Sequence, residues 1–67
     1  MEVSQVRQRV QAIADAAPDY EAQHGLEDGL FAEVLASIAA TSTDPQAKAL
    51  AGAALASREL GFERHCA

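Results

Sequence analysis

Tryptophan is missing from this chain, aromatic residues amount to 4% of it, and cysteine occurs once. Each shortage removes a way of holding 67 residues together. Without large rings a dense core cannot be assembled, and with Cys66 alone no internal disulfide framework can close. Cation-bearing side chains are scarce as well: five Lys and Arg stand against ten Asp and Glu, which leaves a net charge of -5. A surface that grips phosphate neutralises it with clustered Lys and Arg, so no nucleic-acid partner is expected. Lys48, Arg58 and Arg64 do not amount to a basic face. No apolar run approaches the ~20 residues of a membrane span, and no short hydrophobic segment follows a basic start. The expected setting is therefore cytoplasmic, with no membrane partner, and a lone thiol is consistent with a reducing compartment.

What the chain has in abundance is alanine. Sixteen of its residues are alanine, and they raise the hydrophobic fraction to 49% while contributing little buried area. Below ~70 to 80 residues a lone core rarely supplies more than roughly 3 to 5 kcal/mol. Regular helix packing and self-association are the remaining routes to stability, and association is the expected one.

Periodicity points to an all-α protein of three helices in one domain, residues 1–67. The first helix is expected over residues 2–17, where Val3, Val6, Val10, Ile13 and Ala17 recur in steps of three and four. Pro18 then breaks or kinks the chain, because it lacks an N–H and disfavours helical angles at Ala17. The second helix is expected over 19–40, with Tyr20, His24, Phe31, Val34, Leu35 and Ile38 on one side. Asp19 can cap it, or Pro18 can serve as its first residue. Because the three-four spacing keeps step across Pro18, a single kinked helix over 2–40 is the competing architecture. Gly25 and Gly29 fall opposite the stripe, with Ala22, Ala32 and Ala36, making a side that another helix could approach closely. Thr41, Ser42 and Thr43 end the second helix, and Asp44-Pro45 opens a third over 45–60 with a capping side chain followed by proline at the first helical position. Leu50, Ala54, Arg58 and Gly61 form one row on it, with Ala51, Leu55 and Phe62 beside them, so that Arg58 is expected near the centre of the inward face, and 61–67 forms a tail.

Three constellations could carry chemistry. Glu21, His24 and Glu27 sit at helical spacing, and carboxylate and imidazole three residues apart build metal sites in four-helix carboxylate proteins. Such a site needs further ligands from a facing helix, which a second copy could provide. Alternatively, His24 and Glu27 make a polar layer with Arg58, whose guanidinium fork matches a carboxylate. If the second and third helices form an antiparallel hairpin, Glu27 and Arg58 are equidistant from the turn. Lastly, Glu63, His65 and Cys66 could capture a partner's metal or form an intermolecular disulfide, although zinc asks for four ligands. Ser4, Ser37, Ser42 and Ser57 have no general base at a recognisable spacing, and no phosphate-cradling loop is present.

The sequence thus predicts a small three-helix protein with an antiparallel hairpin of helices two and three, forming a homodimeric helical bundle. The expected role is non-catalytic and cofactor-free: an acidic protein-interaction module in a regulatory or accessory capacity. Its binding seam would comprise Val6, Val10, Ile13, Tyr20, His24, Glu27, Phe31, Val34, Ile38 and Arg58, and its acidic surface Asp15, Asp19, Glu21, Asp28 and Glu33. The alternative is a metal-binding helical dimer using Glu21, His24 and Glu27.

Overall fold

The computed structural model describes residues 1–60, and within them every regular element is helical. Helix α1 spans Val3–Asp15, α2 spans Tyr20–Thr41 and α3 spans Pro45–Leu55, followed by a 3-10 turn over Ala56–Glu59. Capping by side chains sets the starts of α2 and α3. Asp19 accepts a hydrogen bond from the Ala22 amide at 3.0 Å, and Asp44 accepts from Gln46 at 2.9 Å and Ala47 at 3.4 Å, with Pro45 inside the first turn. These bonds satisfy amide donors that a helix N-terminus otherwise leaves without partners. At the start of α1 the Glu2 amide donates to the Gln5 side chain at 2.7 Å.

Pro18 turns the chain rather than bending a continuous helix. Residues 16–18 form a turn with a cis Ala17–Pro18 peptide, and α1 folds back onto α2. The single kinked helix over 2–40 is thereby overturned: the Ala17 and Asp19 amides bond to carbonyls three residues back, at Ala14 and Ala16, and a new helix begins after Asp19. Helix three is shorter than its expected span of 45–60. After Leu55 the hydrogen bonding tightens to the 3-10 pattern, a common way for a last turn to close.

All three helices pack through α2. Helices α1 and α3 each lie against it and, among the described residues, do not meet each other. The α1-facing side of α2 carries Gln23, Gly29, Leu30 and Glu33; the α3-facing side carries Asp28, Ala32 and Leu35. At roughly 100 degrees per residue, Leu30 and Ala32 are about 160 degrees apart, so the two neighbours flank α2 on nearly opposite sides. The result is a layer one helix thick, 39 × 32 × 11 Å across its Cα positions. Its radius of gyration, 13.4 Å, exceeds the roughly 11 Å expected of a compact chain this long.

Such a layer encloses almost nothing. Leu30, 3% exposed against α1, and Ala51, 4% exposed against α2, are the buried hydrophobic residues among those described. The inward row of α3 also differs from expectation. Ala47, Ala51 and Leu55 face α2, while Leu50, Ala54 and Arg58 are exposed. Alanine on α3 meeting Ala32 on α2 lets the two axes come close, whereas Leu50 in that row would hold them apart.

Candidate functional site

The flat arrangement determines what α2 presents. With its flanks taken by α1 and α3, one edge of its apolar arc is left over, and Tyr20, Phe31 and Ile38 lie along that edge, within about 20 degrees of one another around the helix. Tyr20 is 70% exposed and Phe31 57%, and Ile38 is exposed too. Valines of α1 extend the surface. Val6, Val10, Leu30, Phe31, Val34 and Leu35 line an open groove of about 480 Å³ that has no polar wall. Val6 and Val34 also line a second recess, which continues toward Val3 and Ile38. On the other side of Phe31, a recess of about 150 Å³ reaches α3 through Leu35, Ala54, Leu55 and Arg58. One broad side of the layer therefore carries an apolar groove between α1 and α2, flanked toward α3 by a recess that also holds Asp28, Ser57 and Arg58 and toward the start of α1 by one that also holds Glu2 and Ser37.

Residues from separate parts of the seam come together here. Val6, Val10, Phe31 and Val34 share the groove, and Ile38 joins them through the adjoining recess. Ile13 is half-buried, one turn further along α1, and its carbonyl accepts a hydrogen bond from the Gln23 side chain at 2.9 Å. The same carbonyl also accepts from the Ala16 amide at 3.2 Å, so Gln23 adds a bond between helices to the last turn of α1. Gln23 carries no local signal for this role, since its partner is ten residues away on another helix.

The expected polar layer is not assembled within the chain. Glu27 and Arg58 are both exposed, and among the described residues neither forms an ion pair with the other. Arg58 instead lines the recess beside Asp28 and Phe31, at the rim of the apolar face. Its place is shifted because α3 packs through Ala51 and Leu55, which rotates Leu50, Ala54 and Arg58 away from α2. His24 is half-buried on α2 between the levels of Tyr20 and Phe31. The ion pair that does form joins Arg9 of α1 to Glu33 of α2. Gly29, one turn before Glu33, lies beside it: a Cβ there would sit 3.8 Å from the Arg9 guanidinium, an ordinary van der Waals distance.

Among the described residues no three His, Cys, Asp or Glu side chains are gathered as metal ligands would be. Glu21 lies about 100 degrees around α2 from Tyr20 and about 120 degrees from Glu27, so Glu21, His24 and Glu27 diverge and a site built from them would need ligands from another copy. Gly61, Phe62, Glu63, His65 and Cys66 fall outside the described residues. The acidic surface is partly occupied with structural work. Asp19 caps α2, Asp15 accepts from Gln11 at 2.9 Å, and Glu33 holds Arg9. Glu21 and Asp28 are exposed, two turns apart on one side of α2, with no hydrogen bond or ion pair among the described residues. No helix of the described residues is long and apolar enough to cross a membrane. No protein-family model, curated protein or solved structure matches the chain.

Proposed function

We propose that this chain is a non-catalytic protein-interaction module that associates with itself, with an antiparallel α2/α3 hairpin at the centre of a homodimeric helical bundle. The observation that carries this reading is the exposure of Phe31 at the middle of an apolar face. A side chain of that size left in water forgoes about 1.5 to 3 kcal/mol, which a chain with so little interior can hardly spare. Exposed apolar patches of this breadth are a recognised mark of interaction surfaces. The module's second surface, acidic and centred on Glu21 and Asp28, would serve a basic protein partner in a regulatory or accessory role.

Light scattering over a dilution series tests the self-association. The expected result is the mass of two 7.0 kDa chains, falling to one on dilution. Phe31→Ala should lower the melting point and promote dissociation, since removing a covered phenylalanine costs roughly 3 to 5 kcal/mol. In an uncovered subunit the same change would cost far less. A single chain at millimolar concentration that melts sharply at high temperature would refute the reading. For the second surface, charge reversal at Glu21 and Asp28 should weaken capture of a basic partner while the helical signal is retained, and undiminished capture would count against it.

A further inference from the structure

We propose that the two copies meet face to face through the apolar side of the layer, closing two three-helix sheets into one two-layer body with the Gly25 side turned outward. This rests on the self-association reading above and adds to it the surface used and the resulting architecture. Three observations converge on it.

Size comes first. The broad side of the layer lies within an outline of 39 × 32 Å, at most about 1,200 Å². A standard protein interface takes about 800 Å² from each partner, so a second copy would have to cover most of that side. Architecture is the next consideration. Folded domains bury their apolar stripes between at least two layers, and this chain supplies one, 11 Å deep. An identical layer stacked at the usual 8 to 10 Å between helix axes would cover Val10, Phe31 and Ile38, which are exposed among the described residues, and complete the burial of Val6 and Val34. Charge is the last. A chain of net charge -5 should repel its copy, yet the groove itself has no polar wall. Beside it Asp28 and Arg58 line a common recess, Glu33 lies on the α1 flank of α2, paired with Arg9, and Glu27, exposed on the Tyr20 side of α2, is the carboxylate that the contact has to leave at its margin. Within the groove two such faces meet without like charge between them. A two-fold arrangement of this kind uses the same patch on both copies and closes on itself, so association stops at two.

The absence of tryptophan gives a direct test. Phe31→Trp places a fluorophore on the apolar face, and Gly25→Trp places one on the opposite side, where nothing lies within 4 Å of an added Cβ. Each variant is diluted while its mass, emission maximum and acrylamide quenching are followed. The expected result is that association shifts the emission of Phe31→Trp to shorter wavelength and cuts its quenching several-fold, with Gly25→Trp unaffected. Association lost in Phe31→Trp but kept in Gly25→Trp would equally place Phe31 at the contact. A doubled mass with shielding at Gly25→Trp alone would overturn the face-to-face arrangement and leave self-association standing. A single-chain mass for both variants and the parent at every concentration would overturn the self-association reading itself.

Discussion

Three side chains illustrate how far this fold depends on individual contacts. Asp44 holds two amides at the start of α3, an alanine-rich helix with Ala51 as its buried residue. Asp44→Ala should therefore destabilise the protein by about 1 kcal/mol, with Asp44→Asn keeping most of the parent's stability, as read from the midpoint of urea unfolding. An unchanged midpoint for the alanine variant would mean that Pro45 alone suffices to start the helix. Gly25 and Gly52 have nothing near a would-be Cβ, and no glycine among the described residues has positive φ. Gly25→Ala and Gly52→Ala should each stabilise the protein by roughly 1 kcal/mol through helix propensity, and a loss of stability in either would reveal a close neighbour at that position. Arg9 and Glu33 are a contrasting case. Their ion pair is partly solvent-exposed, so its removal should matter little beyond the packing of the arginine stem over Gly29.

Among the elements, α2 is the scaffold and α1 the least secured. Helix α1 has no buried residue and, among the described residues, touches only α2, where Val6 and Val10 share a groove with it and the Arg9–Glu33 pair and the Gln23 bond to its last turn hold it. Local opening follows buried contact, so residue-by-residue hydrogen exchange should show α1 amides opening before those around Leu30 in α2. The reverse order would place the stable unit elsewhere. The sequence was most legible where the determinants are local. The Asp19 and Asp44 caps and the turn at Pro18 depend on neighbouring residues, and the expected element order follows from them. Periodicity also identified the stripe of α2, but a helical wheel cannot say whether such a stripe meets the same chain or remains outside it. In this fold Leu30 meets the chain and Phe31, one residue on, does not. Helix α3 was misread for a related reason: its buried row is mostly alanine, and Leu50 drew the inward assignment while lying outside. Gln23–Ile13 and Arg9–Glu33 join distant positions and leave no short-range trace.

Taken whole, the molecule is a sheet of helices rather than a ball. If the second layer is another copy, folding and association are linked, and the melting point should rise with protein concentration. Calorimetry at concentrations a hundredfold apart checks this, with coincident transitions pointing to a self-sufficient subunit. The acidic character then acquires a further role. Exposed carboxylates such as Glu21 on both copies would keep assembled pairs apart in solution after the apolar sides have found each other.

The 11 Å depth of the layer has a consequence for supply. A body whose interior is shared between twins exists only above a threshold of abundance, because pairs accumulate as the square of the free subunit. Below that threshold each newly made chain carries its oily side uncovered, and proteases or aggregation would remove it before a mate arrives. The amount of this protein in its working form would then rise more steeply than its rate of synthesis, so that modest changes in expression are converted into a sharp change in output.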